Sequence, residues 1–476
     1  MAPPRMKITI AFALASTPVL AFTPPALRAR PRLVARSPGH LLTSTAAAAV
    51  EEKPEGSSRM AASFNLAKNI MGAGAISLPG SIAAIGDVKG AIFPAMGIMS
   101  LLAYVSAYTF ALLGKECERN KAKNYDELWS KTVGEKSLWV ISTSVAITTL
   151  LACTAYSMII GDLTSALAGS MGVTGWAASR STAILGMTGL VITPLCFLKS
   201  LSALSFTSLA GVFAVIFSTV VMGVRYLDGS YLAGGKFFLT APFTPAFRAL
   251  RNGWALDHMT FVVLSCLGTA FLTHFNAPAF YSDMAAKDAK EKTDKFVQVT
   301  AMGYASSTLV FAAMMFFGFG TFGSATSGNI FVNYAPSDSL AFLCRIATVF
   351  SITFTYPLAF VGLKNSVLSL LGKQTKPSEG FNACLTMGLL SVMTGAALLI
   401  QDLGFIAALT GSLMGSLIIY VFPGMFKYKR LKKQAGGQAM NLGDFASTYG
   451  LMGLGAVLGV IGVAVASLRQ FTTLLG

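Results

Sequence analysis

Eleven apolar stretches of roughly transmembrane length recur along the chain, at 61–86, 91–114, 137–168, 181–198, 202–226, 258–283, 296–323, 338–368, 381–401, 403–426 and 447–469. A hydrocarbon core about 30 Å thick takes about 20 apolar residues in a helix that rises about 1.5 Å per residue. Inside lipid every backbone N–H and C=O must be paired within the chain, which leaves helices or a closed barrel. Barrel strands are about 9–11 residues long, so these runs predict an all-α integral membrane protein. The 54% hydrophobic and 12% charged composition and the mean hydropathy of +0.64 agree with that solvent.

The formal charge of +16 would suit a nucleic-acid binder, but the basic residues collect in short loops, chiefly those after the even-numbered stretches. That pattern orients a membrane protein with its N-terminus on the cytosolic or stromal side. The partner is therefore a lipid bilayer, and no nucleic acid is expected. The six cysteines, at 117, 153, 196, 266, 344 and 384, are scattered without metal-ligand spacing and read as small packing residues. The sequence has no H-E-x-x-H, no G-x-S-x-G, no P-loop and no clustered carboxylates within the stretches, so neither an enzyme nor a cofactor is expected. No repeated filter or ring of charge points to an ion channel.

Residues 1–50 contain six Lys or Arg and no acid. Arg5 and Lys7 precede a short apolar run ending near Ala21, and an arginine-rich segment follows from Phe22. This predicts a signal peptide over 1–21 and a transit peptide or leader over 22–55, an address resembling that of plastid proteins in algae with secondary plastids. The transmembrane domain is expected over 58–470. A vacuolar, endomembrane or plasma-membrane location is the alternative.

Two stretches are interrupted. The first carries Gly72-Ala73-Gly74, and the sixth carries Thr273-His274-Phe275-Asn276-Ala277-Pro278. The second break lies five stretches on from the first, as an inverted repeat of five plus five helices with one extra would require, and such breaks point to a midplane binding site. Gly411 with Gly415, and Gly455 with Gly459, fit close helix packing instead. Asn65, Lys68, Asn69 and Gly72 fall at i, i+3, i+4 and i+7 on one helical face, and polar groups so placed line a bundle interior. The half-helix after the first break aims unpaired amides at the centre, where they would receive a carboxylate.

The segment NLAKNIMGAGAISLPG (65–80) resembles the first helix of the amino acid/auxin permease family. ACTAYSMIIGDLTSAL (152–167), ITPLCFLKSLSALSF (192–206), FLTHFNAPAFYSDM (271–284) and DLGFIAALTGSLMGSLIIYVFPGMF (402–426) are similar to its third helix, its fourth-to-fifth junction, its sixth helix and its tenth helix. The resemblance covers about 61–470. It implies a LeuT-like 5+5 inverted repeat of about eleven helices, with helices 1 and 6 discontinuous, and secondary transport of amino acids. It also implies that Gly72, Ala73 and Gly74 bind the cargo carboxylate and that carbonyls from Phe271 to His274 receive the ammonium. Asn69, Asn276 and Tyr156 are expected in the pocket, with His274 there or on a proton path. Sodium-coupled members carry Asn and Thr where this chain has Lys68 and Thr353. That departure, with Asn65 and His274 nearby, predicts proton coupling or exchange over sodium symport. Asp162 and Arg345 are expected to form a structural or gating charge pair. No acidic residue lies near the sixth-stretch break, so a neutral amino acid is expected. A non-transporting sensor, or a carrier of another carboxylate such as auxin, would keep the same pocket.

Overall fold

The computed structural model describes residues 59–198, 205–247, 257–372, 378–435 and 441–475. The expected leader, and residues 199–204 of the fourth-to-fifth junction, lie outside these. Helix α1 (Arg59–Ile70) ends early, and a 3-10 turn (Ala73–Ser77) leads into the short α2 (Leu78–Ile82). Two long helices follow, α3 (Ile92–Asn120) and α5 (Leu138–Ser170), joined through the amphipathic α4 (Tyr125–Thr132). The return stretch is α6 (Arg180–Met187), a π-turn (Thr188–Ile192) and α7 (Thr193–Cys196), after which α8 covers Ser205–Leu227.

The second half repeats the opening motif. Helix α9 (Thr260–Ala270) stops, a 3-10 turn (His274–Asn276) intervenes, and α10 (Ala277–Ser282) completes the segment. Helices α11 (Ala289–Phe322), α12 (Ser339–Leu370) and α13 (Glu379–Leu399) come next. Helix α14 (Leu403–Thr410) runs through an eleven-residue π-segment (Gly411–Val421) into α15 (Phe422–Ala435), and α16 spans Leu442–Leu475. Among the described residues no strand forms beyond one isolated bridge between Ala246 and Gly323.

Eight of these helical segments are long and apolar enough to cross a membrane, and three shorter apolar ones cover Ala73–Ile82, Arg180–Cys196 and Gly211–Leu227. The protein is an integral membrane protein. Exposed Leu, Phe, Val and Ile side chains are abundant along α3, α8, α12, α13 and α16. In water such a surface would aggregate, whereas in lipid it is the solvated surface. Loop-facing helix starts use ordinary side-chain caps, as Asn124, Asp288, Asp338, Ser378 and Asp402 each accept a hydrogen bond from a first-turn amide.

The interior is knitted by glycines where backbones touch. A Cβ on Gly411 would collide with the Ser265 carbonyl, and one on Gly415 would lie 3.2 Å from the Gly268 carbonyl. Cβ atoms on Gly455 and Gly459 would meet Ser416 at 2.8 and 2.9 Å. These four glycines therefore serve helix packing, as their spacing predicts. The two ends of the bundle are fastened differently. At one end Arg225 holds Asp338 through two bonds of 2.8 and 2.7 Å, and Tyr231 donates to the same carboxylate at 2.9 Å. At the other, buried Glu116 of α3 receives Arg119 at 2.9 Å and Arg430 of α15 at 3.4 Å.

Candidate functional site

Why the first helix stops is local. Gly72 sits at φ −93° and ψ −166°, an extended conformation that interrupts the helical hydrogen-bond ladder. Its N–H turns back to the Ile70 carbonyl at 2.7 Å, and Ala75 N–H reaches the Gly72 carbonyl at 3.2 Å. The amides of Ala73 and Gly74 are left without a partner among the described residues, as the first donors of any new helix are. Pro79 then occupies the first turn of α2, where a missing N–H costs nothing.

The second break repeats this accounting. Phe271 closes α9 at φ −93°, Thr273 is non-helical, and Pro278 sits in the first turn of α10. Three of the four carbonyls from Phe271 to His274 already accept a backbone N–H, from Thr273, Asn276 and Ala277 respectively. The Leu272 carbonyl accepts none among the described residues. Nothing in the sequence distinguishes Leu272 from its neighbours, because which carbonyl is spared depends on turn geometry.

The two breaks meet. A Cβ on Gly74 would lie 3.2 Å from the Ala270 Cα and 3.3 Å from its nitrogen, so backbone touches backbone there. The Asn69 side-chain oxygen accepts from the Thr273 hydroxyl and, at 3.3 Å, from the Asn276 amide. Asn65, Asn69 and Gly72 are exposed along one face of the first segment, and nothing lies within 4 Å of a Cβ built on Gly72. Lys68, beside them, is half-buried and has no hydrogen-bond or ion-pair partner among the described residues. Thr353 of α12 is buried with its hydroxyl unpartnered, and no hydrogen bond joins it to Lys68. Tyr156 of α5 lies half-buried with its ring 6.2 Å from Tyr356, whose hydroxyl is 3.2 Å from Ser157.

Two expected placements change, that of the His274 ring and that of the Asp162–Arg345 pair. His274 does not turn its ring toward the gap between the breaks. It is fully buried, with Nε2 at 3.0 Å from the Ser106 carbonyl and 2.9 Å from the Thr109 hydroxyl of α3. A carbonyl can only accept, so Nε2 carries the proton and the unpartnered Nδ1 is a bare lone pair. The Phe271 ring is likewise buried, between Tyr304 at 5.9 Å and Phe311 at 5.5 Å. Asp162 and Arg345 form no pair. Asp162 accepts from Arg180 at 2.5 Å and from Asn329 at 3.1 Å, while Arg345 donates to the carbonyls of Phe331 and Tyr334 at 3.2 and 2.5 Å. The physical reason is proximity. Arg180 opens the helix that returns along α5, and the loop before α12 offers Arg345 carbonyls without the cost of burying a second charge.

That same loop packs against α2 and α14. The Ser327 carbonyl presses on Gly80 of α2, and Gly328 abuts Gly404 and Asp402 at the start of α14. Arg180 adds bonds to the carbonyls of Ala397 at 2.8 Å and Ile400 at 3.3 Å, tying α13 to the same knot.

The two interrupted segments therefore touch at their breaks within a bundle of membrane length. The family model described as "Transmembrane amino acid transporter protein" matches residues 55–468. The chain belongs to that family. It is a family of transporters and not of enzymes. The vacuolar amino acid transporter 5 of Schizosaccharomyces pombe is 25% identical over 368 residues, 77% of this chain and 83% of that protein. Among solved structures, the inward-facing conformation of Mhp1 superposes with a TM-score of 0.52 at 11% identity, covering 90% of this chain and 96% of that one. MhsT in complex with L-phenylalanine gives 0.50 at 12%, covering 87% and 100%. These two show a shared LeuT-type fold. For this family member they leave the site to be read from its own residues.

Proposed function

We propose that this protein is a secondary transporter of a neutral amino acid, working by alternating access through an eleven-helix inverted repeat whose first and sixth helices are broken. The observation that carries this is the complementarity of the two breaks. The free amides of Ala73 and Gly74 suit a carboxylate, and the free Leu272 carbonyl, a few residues away across the Gly74–Ala270 contact, suits an ammonium. The Asn69 bonds to Thr273 and Asn276 keep the two half-sites in register. Asn65 and Tyr156 complete the polar approach and one wall. Among the described residues no acidic side chain is hydrogen-bonded or ion-paired to either break, which favours a zwitterion over a cationic cargo.

Coupling is assigned to protons, or to exchange, because Lys68 places an ammonium on the face where a sodium ion would need oxygen ligands. Two like charges within a few ångströms in a low-dielectric interior repel strongly. Thr353 is the remaining candidate ligand. The leader over 1–55 makes a plastid envelope our preferred membrane, and a fluorescent fusion of the first 60 residues checks that address.

The deciding experiment is counterflow in liposomes holding the purified chain, screened with a panel of amino acids under separate sodium and proton gradients. Uptake of neutral amino acids driven by a proton gradient, or by exchange alone, is expected. Uptake that requires sodium and ignores pH removes the coupling assignment, and binding without any uptake makes the protein a sensor.

A further inference from the structure

We propose that the corner between α15 and α16 binds the headgroups of anionic phospholipids from the surrounding bilayer. Helix α15 carries Lys427, Lys429, Arg430, Lys432 and Lys433 with no acidic residue anywhere along it. Its two faces treat that charge differently. Lys427 and Arg430, three apart, turn inward. Lys427 donates to Ser447 at 2.6 Å and to Tyr108 at 3.4 Å, with Asp444 at 3.8 Å, and Arg430 lies 3.4 Å from Glu116. Lys429, Lys432 and Lys433 fall at i, i+3 and i+4, on a common outward face. All three are exposed and have no ion-pair or hydrogen-bond partner among the described residues. The nearby carboxylates are already engaged: Glu116 with Arg119 and Arg430, and Asp444 with Asn441 beside Lys427.

Depth selects the missing counter-ion. Phe426 is the last fully buried apolar residue of this helix. Lys429 to Lys433 follow three to seven residues later, about 5–10 Å along a helix axis, a reach comparable with the headgroup layer of about 5–7 Å on one side of a bilayer. Beside them stands an aromatic group of interfacial type. The Tyr428 and Tyr449 rings are 5.8 Å apart, Phe445 and Tyr449 are 4.5 Å apart, and Phe445 and Tyr449 are half exposed. Lys432 joins the two features, its Nζ 6.0 Å from the Tyr428 ring centre. Unpaired, exposed ammonium groups beside partly exposed aromatic rings at the end of an apolar helical segment fit a lipid carrying net negative charge. A neutral phosphatidylcholine, whose own choline offsets its phosphate, fits them less well.

The test uses the purified full-length chain in detergent, equilibrated with equal phosphatidylcholine and phosphatidylglycerol, with retained lipid counted by native mass spectrometry. The wild type is expected to hold phosphatidylglycerol several-fold in preference. K429Q/K432Q/K433Q should bring the ratio near unity, while the equally charge-reduced K136Q/K287Q/K290Q, all exposed elsewhere, should leave it unchanged. Raising salt to about 0.5 M should erode the wild-type preference, because exposed charges are screened, and millimolar inorganic phosphate should not displace the lipid. Equal retention by wild type and the α15 triple variant, or equal loss in the control triple, overturns the site. Displacement by inorganic phosphate shows that the corner is a general anion patch and overturns the lipid assignment.

Discussion

The two helix breaks follow the same backbone plan and sit in opposite surroundings. Each ends a helix, leaves the first two amides of a 3-10 turn without a partner among the described residues, and restarts with a proline in the next first turn. The first is built from Gly72, Ala73 and Gly74 and has an exposed face with open space beside Gly72. The second is built from polar residues, and its Thr273 and His274 side chains are buried, one tied to α1 and the other to α3. The comparison teaches a division of labour. On the proposed reading both breaks would offer backbone to the cargo, the first by amides and the second by the Leu272 carbonyl, while the Thr273 and His274 side chains anchor the second break to the rest of the bundle.

The sharpest way to break this comparison is at Gly74. A leucine there must displace the Ala270 backbone, which cannot yield as a side chain can. Gly74→Leu is expected to reduce counterflow to background while the protein still reaches the membrane, and retained binding would end the carboxylate role of this break. Next in size is His274→Leu. It removes the donor to Ser106 from a dry interior and should lower stability by roughly 1–3 kcal/mol, read as a fall in the thermal midpoint in detergent. The surviving folded fraction should still bind substrate; selective loss of binding at unchanged stability would return the imidazole to the pocket. Asn69→Ala separates the two half-sites without touching either backbone. About a tenfold loss of uptake is expected, equivalent to about 1.4 kcal/mol, and an unchanged rate would mean that Thr273 and Asn276 position themselves. Gly72→Ala is the smallest. With φ negative and nothing within 4 Å, uptake should stay within about twofold of wild type.

The sequence made both breaks visible because glycine and proline act locally, and apolar runs located the apolar part of each helix, while polar ends such as Lys115–Asn120, Ala289–Lys295 and Lys427–Ala435 extend the helices beyond those runs. The role of Gly411, Gly415, Gly455 and Gly459 was legible for the same reason, since a four-residue spacing forms a smooth helix face wherever it occurs. Side-chain direction inside an unwound segment was not. Helical periodicity places Asn69 correctly because α1 is regular up to Ile70, but it says nothing about His274, whose backbone has left the helix. The partner of Asp162 escaped for another reason. Family likeness suggested a pair across the bundle, whereas Arg180, which begins the very next helical stretch, is near enough to compete and wins. The π-segment at Gly411–Val421 left no trace in the sequence, because its wider turn is set by what packs against it.

Where Gly268 faces Gly411, α9 and the start of the π-segment that continues α14 touch through main chain, with no side chain between them to act as a cushion. Such a joint tolerates rotation about the point of contact but resists separation and lengthwise slip, since any added atom collides and any gap forfeits the short bond from Thr269 to the Ala407 carbonyl. The half-helix leading into the second break is therefore coupled to its neighbour along its axis, so that a lengthwise shift of one would drag the other with it.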